Sequence, residues 1–163
     1  MIKGPQLAAI RDAETRDLDA LAKLWFDGWQ DAHAAILPAE LAEARTLASF
    51  RERLAEGLSD TRVLTAGDTP AGLAMLKGDE LYQFYVAAAA RGKGAAAQLM
   101  DDAVTRLRAR GVAVAWLACA IGNDRAARFY EKSGWHRVGM MTNELTIDNS
   151  PYPLRVWRYE RAI

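Results

Sequence analysis

Leu81-Tyr82-Gln83-Phe84-Tyr85-Val86 is an apolar, aromatic run that passes through Ala87–Ala90 into Arg91-Gly92-Lys93-Gly94 and then into a long helical pattern. A strand that ends in a basic, glycine-punctuated loop and opens a helix leaves few folds available. The first amides of that helix have no intrahelical acceptor. Gly92 and Gly94 let the backbone approach a ligand closely, and free amides at the positive end of a helix suit a phosphate anion. The expected anion site spans Arg91, Gly92, Lys93, Gly94, Ala95 and Ala96.

Composition makes such a site local. Lys and Arg number 21 and Asp and Glu number 21, for a formal net charge of zero. No overall field favours nucleic acid or an anionic membrane, so neither is an expected partner. The 163 residues, 51% hydrophobic, suit one domain over 1–163 with a full core. Cys119 is the single cysteine, which excludes an internal disulfide and fits a reducing compartment. With His33 and His136 it forms no metal-ligand spacing, and no metal is expected. No run has signal-peptide or membrane-spanning length, so the cytoplasm is the expected location.

Periodicity orders the remaining elements. Leu7, Ala9 and Ile10 read as a short first strand. A helix begins at Asp17 with Leu18, Leu21, Ala22, Trp25 and Trp29 on its inner face. After Pro38 the pattern predicts one helix over Ala39–Glu56, with Leu41, Ala44, Leu47, Ala48 and Leu54 inward. Strands are expected at Arg62–Ala66, Gly72–Leu76 and Glu80–Val86, and a helix at Gly94–Arg110. Val112–Ile121 is almost wholly apolar and reads as a central strand buried on both faces. Asn123 caps a short helix that ends at Gly134. Strands at about Trp135–Ile147 and Leu154–Arg161, joined through Asn149-Ser150-Pro151, complete an α/β (α+β) chain.

The glycine loop matches neither common nucleotide motif. No Ser or Thr follows a lysine after the last glycine, and no acidic residue ends the strand near Ala120 to hold a ribose. A second segment carries more information: Asn123-Asp124-Arg125-Ala126-Ala127-Arg128-Phe129-Tyr130-Glu131-Lys132-Ser133-Gly134-Trp135. Together the two segments resemble the Gcn5-related N-acetyltransferase (GNAT) family. The loop matches the family's Arg/Gln, Gly, Gly/Ala spacing at Arg91, Gly94 and Ala96. The second segment matches its Asn, Ala, Phe-Tyr, Gly-aromatic spacing at Asn123, Ala126, Phe129, Tyr130, Gly134 and Trp135. The resemblance implies the acyl-CoA N-acyltransferase fold: a mixed, mostly antiparallel sheet with a splayed central strand pair, flanked by helices. It also implies acetyl-CoA as co-substrate, with its pyrophosphate on the Arg91–Ala96 amides and its pantetheine arm beside Phe84, Val86, Asn123, Ala126, Phe129 and Tyr130.

The implied reaction moves acetyl to a primary amine by direct attack in a ternary complex. An amine with a pKa of about 8 to 10 must first lose a proton. A tyrosine can protonate the leaving thiolate, and Tyr130 holds the family's position for it. Glu80 is the base candidate: it precedes Arg91 by eleven positions, the offset of the catalytic glutamate in the histone-acetyltransferase branch. Strand alternation places Glu80, Tyr82, Phe84 and Val86 on one face, where an apolar setting raises a carboxyl pKa. The alternative base is a chain of waters. The alternative function is a non-catalytic coenzyme A sensor or partner subunit of the same fold.

Other residues have plainer readings. Trp29 and His33 lie in a segment resembling a family subgroup with tyrosine and glycine at His33 and Ala35; with Tyr82 they are the acceptor-binding candidates. Asp31, Glu40 and Glu43 suggest a cationic acceptor. Arg125, Arg128 and Lys132 are either nucleotide 3′-phosphate contacts or a solvated helix face. Cys119 reads as a small buried residue and His136 as an exposed strand position. Ala87–Ala90 stand where the family has a proline and a polar run, which removes stiffness from the strand exit. Tyr152–Tyr159 is an apolar segment suited to pairing two copies in a homodimer.

Overall fold

The structure, a computed structural model, describes residues 8–163. Strand β1 (Ala9–Asp12) is followed by helices α1 (Leu18–His33), α2 (Ala39–Ala44) and α3 (Leu47–Glu56). Then come β2 (Thr61–Ala66), β3 (Thr69–Lys77), β4 (Glu80–Val86), α4 (Ala95–Ala109), β5 (Val114–Ala120), α5 (Asp124–Lys132), β6 (His136–Ile147) and β7 (Ser150–Ala162). Leu7, expected in the first strand, lies outside the described residues.

One sheet runs β1-β2-β3-β4-β5-β7-β6. Neighbours are antiparallel except β4 and β5, which are parallel and share a single residue pair, Glu80 with Trp116. From that vertex they diverge. The mixed sheet with a splayed central pair, expected from the resemblance, is the fold observed.

Each face of the sheet carries its own core. On one, α4 packs Leu99, Ala103 and Leu107 with Leu64, Leu76, Leu81 and Leu117. On the other, Leu21, Trp25, Trp29, Phe50 and Leu54 of α1 and α3 pack with Val63, Leu73 and Met75. Each such large side chain contributes about 1.5–3 kcal/mol by leaving water.

Several expectations need correction. The single helix over Ala39–Glu56 is two. Arg45 leaves the helical region (φ −88°, ψ 69°), and the Ser49 amide donates to Thr46 Oγ1 at 3.1 Å to start α3. A threonine able to cap competes with a helix that would run through it. The restart turns the inner face to Phe50 and Leu54, so Leu47 and Ala48, expected inside, are exposed.

Strand β5 is not buried on both faces. Ala115, Leu117 and Cys119 are buried, while Trp116, Ala118 and Ala120 alternate with them at intermediate exposure. Helix α1 packs on β3 and β4, and the splay leaves this side of β5 open.

The β6–β7 turn is Asp148-Asn149, one residue earlier than expected. Both residues have positive φ (50° and 62°), as a two-residue hairpin between Ile147 and Ser150 requires. Strand β7 is paired on both sides, and Val156 and Tyr159 are buried. Within the Tyr152–Tyr159 segment, Val156–Tyr159 pair with both β5 and β6, whereas Tyr152–Arg155 pair with β6 alone.

Candidate active site

The glycine loop is built from backbone. After β4, Ala88–Ala90 form a single 3₁₀ turn and Arg91 is extended. Gly92 and Gly94 then take φ of 77° and 79°, a region that disfavours other residues. The first intrahelical bond of α4 is donated by Gln98 N to Gly94 O at 3.1 Å, so the amides of Ala95, Ala96 and Ala97 have no intrahelical acceptor. Among the described residues, the amides of Gly92, Lys93 and Gly94 have no backbone acceptor either. A Cβ built on either glycine would meet nothing within 4 Å, so the loop fronts open space. The Arg91 side chain turns back: its Nε donates to Val86 O at 3.3 Å, and its guanidinium lies 3.6 Å from Asp31. Lys93 is exposed.

A cavity of about 370 Å³ begins at this loop and follows the gap between β4 and β5. Gly92, Ala96, Asn123 and Ala126 line its loop end. Asn123 Oδ1 accepts from the Ala126 amide at 3.4 Å, so the expected cap is present. Phe84 and Phe129 stack across the gap with centroids 5.5 Å apart. Arg125 pairs with Asp31 at 2.9 Å, joining α5 to the end of α1; Arg128 and Lys132 are exposed.

Tyr130 faces the same cavity, and its hydroxyl has no hydrogen-bond partner among the described residues. Burial, together with the nearby Cys119 and Tyr85, pushes its pKa above the usual phenol value and keeps the hydroxyl protonated. Cys119 is buried, as expected, and burial pushes its thiol up to about 11, away from thiolate chemistry.

The alternation expected along β4 fails at Tyr82. Met75 pairs with Gln83 and Leu76 with Leu81, which leaves Tyr82 as an extra residue, a β-bulge. The bulge switches the phase of the strand. Leu81, Phe84 and Val86 join the α4 core, whereas Tyr82 and Tyr85 join the α1–α3 core. Glu80, adjacent to Leu81 and two residues before Tyr82, shares Tyr82's face and not that of Phe84 and Val86.

Glu80 is 9% exposed, sits at the vertex where β4 meets β5, and lines the cavity. Burial pushes its carboxyl up to about 7. The Asp79 charge adds to this, and Lys77 and Arg158 oppose it. A carboxyl that titrates there can exchange a proton near neutral pH.

The far end of the cavity lies under α1, the α2–α3 junction and the β6–β7 hairpin. Trp29 is buried against Phe50 and His33 at centroid distances of 6.2 and 5.5 Å and lines the wall. Burial pushes His33 down to about 4, so its imidazole is neutral at pH 7. Arg53 donates to Tyr82 Oη at 3.0 Å.

The acidic wall expected here is not formed. Asp31 is engaged by Arg125 and Arg91, Glu40 accepts the Tyr152 hydroxyl at 2.7 Å, and Glu43 is exposed. In their place stand Arg45 and Arg53, which the sequence reading did not single out. The signal was available: Arg45 follows Leu41 by four, a basic residue on the inward face of the expected helix.

Comparison with known proteins agrees with this geometry. Residues 30–156 match the family profile described as the acetyltransferase (GNAT) domain. An uncharacterized N-acetyltransferase of Mycobacterium tuberculosis is 35% identical over 120 residues, covering 68% of this chain and 77% of that protein. The crystal structure of a GCN5-related N-acetyltransferase from Rhodopseudomonas palustris shares the fold, with a TM-score of 0.75, 23% identity and coverage of 100% of this chain and 99% of that one. So does the paiA N-acetyltransferase of Thermoplasma acidophilum, solved in complex with coenzyme A (TM-score 0.73, 18% identity, 96% and 99% coverage). With its partnerless amides at the head of α4, its parted central strands and a family profile spanning most of its length, this chain belongs to the Gcn5-related N-acetyltransferase family of acetyl-CoA-dependent acyltransferases.

Proposed function

We propose that residues 1–163 act as one unit that transfers acetyl from acetyl-CoA to a primary amine, by direct attack with both substrates bound. One observation carries this reading: a run of backbone amides without acceptors, at a helix start, opening onto the cleft between β4 and β5. That donor set suits a diphosphate, which needs several convergent N–H groups and little else. Bound there, acetyl-CoA supplies an activated acetyl thioester. Gly92, Lys93, Gly94, Ala95 and Ala96 hold the diphosphate, and Asn123, Ala126, Phe84, Val86 and Phe129 flank the arm.

Glu80, as carboxylate, takes one proton from the attacking amine. The nitrogen–acyl bond forms as the acyl–sulfur bond breaks, Tyr130 Oη gives a proton to the departing sulfur, and solvent exchange restores both side chains. The value near 7 at Glu80 supports the acceptor role, and the Tyr130 hydroxyl, protonated and facing the cavity without a partner among the described residues, has its proton available for the sulfur. The test is calorimetry with coenzyme A, followed by acetyl transfer over an amine panel. Coenzyme heat and transfer to at least one amine are expected. No heat from well-folded protein would overturn the proposal.

A further inference from the structure

The far end of the cavity holds charge that this reaction leaves unused. Arg45 is 8% exposed and lines the cavity. The titratable groups that act on it are Arg53, Tyr82 and Tyr85, none of them a carboxylate, and among the described residues its guanidinium has no ion-pair or hydrogen-bond partner. Arg53 lies beside it, donating to Tyr82 Oη and stacked 4.6 Å over the Trp25 ring, also without a carboxylate. The one acid among the lining residues, Glu80, has Lys77, Asp79 and Arg158 as its charged neighbours, not this pair.

A buried cation without an anion is destabilising, and two side by side more so. Burial and Arg53 together push Arg45 down to about 10, which still leaves it charged at pH 7. The backbone puts it there: Arg45 sits at the break between α2 and α3, where Thr46 restarts the helix. The forked guanidinium matches a carboxylate in two parallel hydrogen bonds. Around the pair the wall is apolar, with Trp29, Leu41, Leu145 and Leu154.

We propose that Arg45 and Arg53 bind a carboxylate on the acceptor itself, so that the acceptor is a small aminocarboxylate with an apolar body, such as an amino acid. This rests on the acetyl transfer proposed above and narrows its substrate. The carboxylate takes no part in the bond changes; it anchors one end of the molecule while the amine at the other end loses its proton and gains the acyl group.

The test follows thiol release over the common α-amino acids and short ω-amino acids, each beside its primary amide, its decarboxylated amine and its aminophosphonate. Coenzyme A calorimetry runs on the same protein. The best acceptor is expected to be an aminocarboxylate that exceeds its amide and decarboxylated amine by roughly 10- to 100-fold in kcat/KM, mostly through KM. R45Q is expected to bring that ratio close to one, and R45K to keep part of it. If R45Q does not bind coenzyme, R45K and R53Q are read in its place.

A best acceptor with no anionic group overturns the proposal, as does a ratio untouched by these variants. A preferred aminophosphonate overturns the carboxylate assignment. Transfer to no member of the panel, with coenzyme bound, overturns this inference and leaves the coenzyme site standing. Absence of coenzyme heat overturns the proposed function and takes this inference with it.

Discussion

The two ends of the cavity are made of different material. At the α4 end the groups on offer are peptide amides, carried by Gly92, Lys93, Gly94 and three alanines. At the far end they are side chains: Arg45 from the α2–α3 junction, Arg53 from α3, Tyr82 from the β4 bulge, and Trp29 and His33 from α1. A site of amides depends on which φ values the chain can adopt, so most side-chain changes leave it intact. A site of side chains from four separate elements changes its preference with one substitution. The first design suits a ligand shared by a whole family, the second a ligand particular to one member.

Substitutions at each end test that division. The largest effect is expected from Gly94→Asp, which forces a non-glycine residue to φ 79° and sets a negative charge among amides that await an anion. Coenzyme binding by calorimetry is expected to fall by about 100-fold or more. Lys93→Ala, a side-chain change in the same loop, is expected to cost far less, and an equal loss would contradict the backbone account.

Next is Tyr130→Phe. Turnover is expected to drop by about 100-fold, the usual scale for a lost general acid, with coenzyme affinity roughly retained. Unchanged turnover would remove Tyr130 as the proton donor.

Glu80→Gln carries a double signature. In the wild type, kcat/KM is expected to rise with pH through about 7 as the carboxyl ionises, and the variant is expected to lose that limb and about 10- to 100-fold in rate below pH 8. Stability moves the other way. The folded carboxyl titrates near 7 against 4.5 for its ordinary value, so ionisation removes stability progressively between those pH values and by a constant amount above them. The variant is therefore expected to gain several degrees in Tm at pH 8 relative to wild type, and little at pH 5. A gain independent of pH would show that burial of the charge is not the cause.

The smallest change expected is Gly28→Ala on α1. Its Cβ would stand 2.6 Å from Tyr85 Cδ1, so the Tyr85 ring must shift within the cavity wall. Acceptor KM is expected to rise by a few-fold while coenzyme affinity holds, since the loop amides do not move. A loss of coenzyme binding instead would mean that the two ends are mechanically joined.

The same division explains what could be read from the chain without coordinates. The glycine loop, the Asn123 cap and Tyr130 lie in two continuous segments whose spacing is set by a strand, a helix and the turns between them, and local rules suffice for these. The far end is assembled from residues distant in sequence. Asp31, Glu40 and Glu43 suggested an acidic wall, but Asp31 and Glu40 are spent on neighbours that only the fold brings close, and Glu43 is exposed. Thr46 was legible as a cap in principle, yet the apolar spacing from Leu41 to Leu54 argued for one helix, and capping prevailed. The Tyr82 bulge leaves no mark on composition; it is a mismatch between β3 and β4, and it displaced Glu80 from the face that strict alternation assigned. Strand β5 misled because an apolar run does not say whether its second face meets protein or a cleft.

The single β4–β5 rung at Glu80 and Trp116 has a mechanical consequence. Strands β1–β4 and β5–β7 are two ribbons hinged at one end, and on the open side each presents polar edge groups that a sheet would normally satisfy. A guest bearing its own amides can lie in that opening as a surrogate strand. The protein would then be most rigid when loaded, and amide hydrogen exchange along the facing edges would slow as the guest arrives.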